Sequence, residues 1–247
     1  MPMSANARRV FAMFAAILCL LGAAITVGAQ QPERPIYSVE TPEKKVALGI
    51  NSAWGNEDIE QILAVLAQRG VSASFFVVGQ WADKFPQSVA AIHAAGHEVG
   101  SHSDTHADMT KLSREGVLRE IRESSRKIQA ITGSAPTLLR PPSGAWNAQV
   151  VKLIEQEGLY PIQWDADSLD YRGLTAGQMQ ERIAKKLRPG SILLFHSGTK
   201  NTAGALGQII DDIHAKGYEF VTVSQLVHPR PYTVDFEGRQ RQLTVDN

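Results

Sequence analysis

The sequence predicts an α/β fold with a parallel β-sheet, because short apolar runs alternate with amphipathic helical patterns from Lys45 onward. About seven strand–helix units fall within residues 45–228, which is fewer than a complete eightfold barrel needs. We therefore expect an irregular (β/α)7 barrel, with an open doubly wound sheet as the alternative. No glycine-rich phosphate loop follows the first strand, so the pattern does not favour a nucleotide-binding protein.

The strands are predicted where short apolar runs lie between turn residues. In chain order these runs are 46–50, part of 71–79, 98–101, 137–139, 159–164, 191–195 and 218–223. The carboxyl ends of parallel strands are expected at one rim of the sheet, where such folds carry their chemistry.

The helices are predicted from apolar residues spaced three and four apart and from capping residues. The first has an apolar face between Ile59 and Leu66, with Asn56 as its cap and Gly70 as its end. The other helices are expected at about 81–95, 117–132, 147–157, 175–188 and 206–213.

Residues 1–29 are typical of an export segment. Arg8 and Arg9 precede an uncharged, apolar run from Val10 to Ala29. The run indicates either a cleaved signal peptide or an N-terminal membrane anchor, since about 20 apolar residues can span a bilayer. In both cases the basic residues predict that the working domain is exported, and is secreted or held at the outer face of the cytoplasmic membrane. Residues 30–44 are predicted to be a linker, 45–228 the main domain and 229–247 a polar, loose tail.

The composition excludes several classes of protein. Lysine and arginine number 25 and aspartate and glutamate also number 25, so there is no basic footprint for nucleic acid. The single cysteine, Cys19, lies in the export segment and cannot form an internal disulfide or a paired-thiol zinc site. We expect a monomer whose contact with the membrane is limited to the N-terminal segment.

Polar residues able to do chemistry follow successive predicted strands. They are Asn51, Ser52, His102, Arg140, Asp165, Asp167, Asp170 and His196. Two of them have simple structural explanations as well: His196 can be a hydrogen-bonded structural histidine, and Arg140 can form an ordinary salt bridge. A random scatter would not favour one rim, so the set predicts a site there.

His102 and His106 are four residues apart, near enough to share one divalent metal if the backbone turns between them. The spacing alone is weak evidence, because many histidine pairs are surface residues. Trp146 and Tyr171 lie in the same rim loops and could stack on sugars, although core packing explains such residues equally well.

Taken together, the segments at 45–228 resemble the NodB-type polysaccharide deacetylases of carbohydrate esterase family 4. The motifs occur in the family's order, at 102–106 (HSDTH), 140–144 (RPPSG), 167–171 (DSLDY) and 194–196 (LFH). The segments at 53–58 (AWGNED) and 199–202 (TKNT) are most similar to the branch of spore-forming bacteria, which suggests a role in sporulation.

The resemblance implies removal of N-acetyl groups from a cell-wall glycan, either peptidoglycan or a chitin-like polymer. It implies a divalent metal, zinc or else cobalt or manganese, on His102 and His106, with Ser52 at the third ligand position. His196 would protonate the leaving amine, Asp170 would hold His196, and Arg140 would orient the base. Substrate contacts would come from the turn and rim residues Ser143, Trp146, Tyr171 and Leu194.

The sequence departs from the family pattern at its first motif. Two aspartates are expected there, the first as base and the second as metal ligand, and this chain has Asn51 and Ser52. Asn51 cannot take up a proton at neutral pH, and Ser52 is a weaker ligand than a carboxylate. At two further positions Ser143 replaces the usual tyrosine and Tyr171 the usual tryptophan.

Three hypotheses follow. The protein is a deacetylase in which Asp104, Asp58 or Glu57 supplies the missing carboxylate, or it is a deacetylase-like protein that binds glycan without turnover. A third, less favoured hypothesis is hydrolysis of another carbon–nitrogen bond, such as that of a cyclic amide.

Overall fold

The computed structural model describes residues 34–243, so the predicted export segment lies outside the described residues. None of the helices within this part is long and apolar enough to cross a membrane. The strands are β1 Ser38–Val39, β2 Lys45–Ser52, β3 Ser74–Val77, β4 Glu98–Ser101, β5 Leu138–Leu139, β6 Tyr160–Pro161, β7 Ala166–Asp167, β8 Ile192–His196, β9 Glu219–Val221, β10 Tyr232–Val234 and β11 Arg239–Gln242. The helices are α1 Ile59–Gln68, α2 Gly79–Lys84, α3 Pro86–Ala94, α4 Arg114–Thr132, α5 Ala148–Gln156, α6 Ala176–Lys186, α7 Thr202–Ala215 and α8 Val223–Leu226.

The main sheet is parallel and runs in the order β6-β5-β4-β3-β2-β8-β7, with β9 also paired to β2. Its two edge strands, β6 and β7, are separated in the chain only by residues 162–165. That connection can reach about 18 Å, whereas seven strands laid flat would set their edges about 29 Å apart. The sheet must therefore curl, which confirms the predicted irregular (β/α)7 barrel and excludes the open doubly wound sheet.

Strand β2 shows how the sheet divides the core. Val46, Leu48 and Ile50 pack into the large cluster beneath the helices, while Ala47 faces the inner cluster. Successive side chains of a strand point to opposite faces. Asn51 follows Ala47 at an interval of four residues, and so it enters the barrel interior where β2 ends.

The structure differs from the predicted elements at several places. The helix expected at 81–95 is split into α2 and α3, because Pro86 lacks an N–H and starts a new helix after Phe85. Strand β7 was not predicted, since two residues are too short for a periodic pattern. Asn56 does not cap α1; its amide donates instead to Ser88 Oγ at 3.0 Å.

A small second sheet contradicts the prediction of a linker at 30–44 and a loose tail at 229–247, in the parts of both that the structure describes. Strand β11 pairs with β1 in parallel and with β10 in antiparallel orientation. Ile36, Val39 and Tyr232 are buried. The strands have two to four residues each, so the apolar pattern in the sequence is too short to reveal them.

Candidate active site

A cavity of about 270 Å³ opens at the carboxyl ends of the barrel strands. Eight of the residues predicted at this rim line it: Asn51, His102, His106, Ser143, Asp167, Tyr171, Leu194 and His196. Three further residues complete the lining, namely Ala53, Trp54 and Trp164. The neighbouring strand ends bring these residues together, and Asn51 pairs directly with His196 in the register of β2 and β8.

His196 is held by a buried carboxylate. Its Nδ1 lies 2.7 Å from Asp170 Oδ1, and its backbone N–H donates to Asp170 Oδ2 at 2.6 Å. Asp170 also accepts from Thr202 Oγ1 at 2.7 Å and from the Tyr171 N–H at 2.9 Å. With Nδ1 engaged by Asp170, the Nε2 atom of His196 is left for a ligand in the cavity, the arrangement needed for a positioned acid.

Two aromatic rings flank His196. The Trp54 ring stacks on the imidazole with centroids 5.3 Å apart, and the Tyr171 ring meets it edge-on at 5.4 Å. Both rings are half exposed to solvent. They therefore form an apolar wall whose outer faces are open to a ligand.

Arg140 is fully buried. Its side-chain hydrogen-bond partner is the neutral Asn51, which stands where the family resemblance expects the base. Its Nη1 donates to Asn51 Oδ1 at 2.9 Å, and its Nη2 donates to the Gln163 carbonyl at 3.3 Å. The guanidinium lies 3.9 Å from the centroid of the Phe76 ring. Burial lowers the pKa of Arg140 to about 9, although the charge of Asp167 acts in the opposite direction.

The backbone of β2 makes room for this cation at Gly49. A Cβ atom at that position would lie 2.5 Å from Arg140 Nη2 and 2.9 Å from Nη1. No side chain larger than hydrogen fits at Gly49 while the guanidinium keeps this position.

His102 and His106 lie on a loop with strained backbone. Ser103 and His106 have φ of 68° and 61°, in the left-handed region that residues other than glycine rarely adopt. The carboxylate of Glu120 on α4 accepts from the Asp104 N–H, the Thr105 N–H and Thr105 Oγ1 at 2.8–2.9 Å. These bonds hold the loop in its strained form.

The two imidazoles lie close to one another, with ring centroids 5.0 Å apart. His102 Nδ1 lies 2.6 Å from the Arg140 carbonyl oxygen, which leaves Nε2 free to act as a ligand. Burial, and then the adjacent His106, hold the pKa of His102 well below its ordinary value, so the ring is neutral as metal ligation requires.

Within the described residues, the set of metal ligands is nevertheless limited to these two histidines. Ser52 is buried, does not line the cavity and accepts a hydrogen bond from Ser197 Oγ at 2.9 Å. Nowhere among residues 34–243 do three histidine, cysteine, aspartate or glutamate side chains come together as a metal site. A catalytic zinc takes three protein ligands, so the residues present do not fit the metal site that the family resemblance implies.

The three carboxylates predicted as substitutes for the missing base do not line the cavity. Asp104 is bound to Lys127 at 2.7 Å, and Asp58 accepts the Gly198 N–H at 2.8 Å. Glu57 is exposed on the loop beyond Trp54. The carboxylate that does reach the cavity is that of Asp167, whose Oδ1 accepts the Leu169 N–H at 2.8 Å.

Trp146, which was predicted to contact substrate, lies outside the cavity. Its Nε1 donates to Tyr37 Oη at 2.7 Å, and the ring does not line the cavity. The aromatic residues that do line it include Trp54 and Trp164, which were not predicted as site residues. Trp54 lies two residues beyond the end of β2, and that position at a strand end was the signal in the sequence.

The family model for polysaccharide deacetylases matches residues 38–162 of this chain. Because that match spans more than half of the chain, the protein belongs to the polysaccharide deacetylase family. Members of this family are hydrolases that act on carbon–nitrogen bonds and are in general dependent on a divalent metal.

Two curated relatives illustrate the family. The chain is 34% identical over 197 residues to the uncharacterized protein YlxY of Bacillus subtilis, covering 80% of this chain and 61% of that protein. It is 30% identical over 200 residues to a peptidoglycan-N-acetylglucosamine deacetylase of Bacillus cereus, covering 78% of this chain and 73% of the enzyme. The chain thus spans about three fifths of the length of YlxY.

Among solved structures, the chain is similar to BA3943 of Bacillus anthracis, described as a pseudoenzyme of carbohydrate esterase family 4. The wild-type structure has a TM-score of 0.75 and 33% identity, over 78% of this chain and 68% of that one. A BA3943 mutant with restored enzymatic activity has the same TM-score and identity, over 78% and 70% of the two chains.

Proposed function

We propose that this protein binds N-acetylated cell-wall glycan in the cleft of a polysaccharide deacetylase, and that its own deacetylation step is impaired. The observation that carries the proposal is the contact between Arg140 and Asn51. The arginine that the resemblance expects to orient a carboxylate base is present and buried, but the group it holds is an amide. An amide accepts a hydrogen bond and does not take up a proton at neutral pH.

The rest of the cleft supports ligand binding. The wall of Trp54 and Tyr171 presents open ring faces, and His196 and Ser143 line the same cavity. Buried polar groups without a partner would be costly, yet Asp170 accepts four hydrogen bonds and is fully satisfied. His196 is therefore held in place before a ligand binds.

Each residue has a defined part in this proposal. The N-acetyl sugar lies against Trp54 and Tyr171, and His196 Nε2 donates to the amide or to its leaving nitrogen. The turn that carries Ser143 presents backbone near the acetyl carbonyl, as the resemblance implies for the oxyanion. No group at Asn51 removes a proton from water, and loss of a general base costs about 10²–10⁴-fold in rate.

Residual deacetylation is the second candidate, and the intact Asp170–His196 pair favours it. The pair can still protonate a leaving amine, and a hydrolase that has lost a catalytic group keeps a residual rate through its oxyanion contacts and substrate binding. In both candidates the chain is exported and acts on the cell wall. A role in sporulation follows only from the similarity at 53–58 and 199–202.

The test measures binding and turnover on the same preparation. Residues 31–247 are mixed with N-acetylated chitin oligomers and with purified peptidoglycan, with and without zinc, cobalt or manganese. Glycan binding without acetate release supports the proposal, and metal-dependent release that His102→Ala abolishes supports residual deacetylation. Absence of both binding and release would overturn both candidates.

A further inference from the structure

A second cavity, of about 420 Å³, adjoins the first. Trp54 and Tyr171 line both cavities, so the path from the first cavity to the second runs over these two rings. The two rings are 50% and 48% exposed, and only one other large hydrophobic side chain in residues 34–243 is exposed. Open aromatic faces of this kind are favourable surfaces for the C–H face of a sugar.

Hydrogen bonds between loops hold the walls of the second cavity in place. Asp58, on the loop of Trp54, accepts the Gly198 N–H at 2.8 Å. Asn201, on the loop before α7, donates to the carbonyls of Gly173 and Leu174 at 3.1 and 2.9 Å. These bonds connect that loop to the loop that carries Tyr171. All three loops are joined, so the cavity is preorganised for a ligand.

The charge of the second cavity comes from two lining residues, Asp170 and Lys200. Asp170 is fully buried, and its carboxylate is occupied by His196, Thr202 and Tyr171. Lys200 is exposed, and the lysine ion pairs found within residues 34–243 all involve other lysines. The lining therefore offers one cation that no group of the described chain neutralises.

We propose that the second cavity is a subsite for a carboxylate-bearing N-acetyl sugar, whose ring stacks on Trp54 or Tyr171 and whose carboxylate pairs with Lys200. The proposal rests on the proposed function, since it concerns the next sugar of a glycan bound in the first cavity. It narrows the ligand to a glycan whose sugars carry free carboxyl ethers, over an uncharged chitin-like polymer. Peptidoglycan strands without peptide stems are such a glycan, because a stem would convert the lactyl carboxylate to a neutral amide. The lining of the first cavity contains no lysine or arginine that could pair with a carboxylate.

The test uses a matched pair of ligands. One is a peptidoglycan tetrasaccharide without peptide stems, whose lactyl carboxylates are free; the other is the same tetrasaccharide with the carboxylates converted to methylamides. Affinities are measured by calorimetry for residues 31–247 as wild type, Lys200→Gln and Lys200→Arg. Lys152→Gln, at an exposed lysine of α5 outside both cavities, is the control.

We expect wild type to bind the free acid about fivefold more tightly than the methylamide, as a partly exposed ion pair provides. Lys200→Gln should abolish this preference without weakening methylamide binding, whereas Lys200→Arg and Lys152→Gln should keep it. Equal affinity of wild type for both ligands would overturn the subsite and leave the proposed function standing. Binding of neither ligand would overturn the proposed function together with the subsite.

Discussion

The chemistry of this site depends on Arg140. Its guanidinium is fully buried against Phe76, and its Nε atom is without a hydrogen-bond partner within the described residues. A buried cation is costly unless a carboxylate pairs with it. Here Asn51 and the Gln163 carbonyl take that place, and Asp167 contributes only through its charge. The barrel thus holds a cation arranged for a partner that the chain lacks.

Asn51→Asp should supply that partner. We expect the variant to be more resistant to urea than wild type, because the new carboxylate neutralises Arg140 at 2.9 Å. Together with Ser52→Asp it should also bind zinc more tightly and release acetate about 100-fold faster, since a base and a third ligand are restored. Asn51→Leu, which removes the acceptor, should lower stability. Unchanged zinc affinity and acetate release in the double variant would show that these positions are not those of the family's base and ligand.

Gly49→Ala should displace the guanidinium, because its Cβ would lie 2.5 Å from Arg140 Nη2. We expect a loss of about 1–3 kcal/mol in the free energy of unfolding in urea. Gly177→Ala is the matched control: nothing lies within 4 Å of the new Cβ, and the position is within α6. That variant should be more stable by about 0.4–1 kcal/mol, because alanine restricts the unfolded chain. Equal effects of the two substitutions would contradict the close approach of Arg140 to β2.

At the scale of elements, helix α4 supports the histidine loop. Its N-cap Ser113 accepts the Gly116 N–H, and Gly133 ends it with φ of 77°. Glu120 lies on the buried face of this helix, although glutamate is rarely buried without a partner. Its three hydrogen bonds to residues 104 and 105 explain the burial and connect the helix to the loop.

Glu120→Gln should loosen the loop, because the amide keeps one oxygen and points a donor at backbone N–H groups. We expect a loss of about 1–3 kcal/mol in the free energy of unfolding. Faster hydrogen exchange at residues 103–106 should accompany it. Glu123→Gln, which removes an exposed pair with Arg126 on the same helix, should change stability by less than about 0.5 kcal/mol. Unchanged exchange in Glu120→Gln would contradict the role of Glu120 as a support of the loop.

Helix α5 is joined to strand β10 by Tyr232, whose Oη donates to Glu155 Oε1 at 2.9 Å. Burial raises the pKa of Glu155, and the bond from Tyr232 only partly offsets it. The charged form is therefore disfavoured in the folded protein, so Glu155 lowers stability as pH rises through its folded pKa. We expect Glu155→Gln to raise the thermal midpoint at pH 7.5 and to leave it unchanged at pH 4, where the wild-type side chain is protonated. A lower midpoint for the variant at pH 7.5 would contradict the raised pKa.

At the scale of the whole molecule, the segment that contains β1 connects two parts of the barrel. Val39 donates to the Gly190 carbonyl, just before β8, and Ile36 bridges to Ile162, just after β6. The segment before β2 therefore covers the opening that the incomplete barrel leaves at its edges. It joins the inner core cluster together with Tyr232.

Tyr232→Ala should destabilise the whole domain by about 3 kcal/mol or more, because a large buried ring that stacks on Tyr160 is lost. Phe236→Ala is the control from the same region, since that ring is 81% exposed. Its effect should stay below about 0.5 kcal/mol. Urea unfolding followed by circular dichroism measures both variants. A comparable effect of the two would mean that residues 232–242 do not belong to the folded domain.

The sequence alone determined the type and order of most main-sheet strands and of most helices, and the rim at which polar residues gather. These follow from local periodicity, capping residues and glycine positions, which act within a few neighbours along the chain. The prediction failed for the short strands β1, β7, β10 and β11, because two to four residues do not establish a period. It also treated one helix as continuous across Pro86.

Only the tertiary structure decided which rim residues meet. Ser52 is turned to Ser197, 145 positions away, and Trp146 is drawn to Tyr37, 109 positions away. The stacking of Trp54 on His196 and the exposure of Lys200 beside it depend likewise on loops from different strands. Side-chain partners across such distances are selected by packing and hydrogen bonding in the folded state, and no local pattern encodes them. For that reason the family of this chain and its departure at Asn51 and Ser52 were readable from the sequence, whereas the contacts within the active site were not.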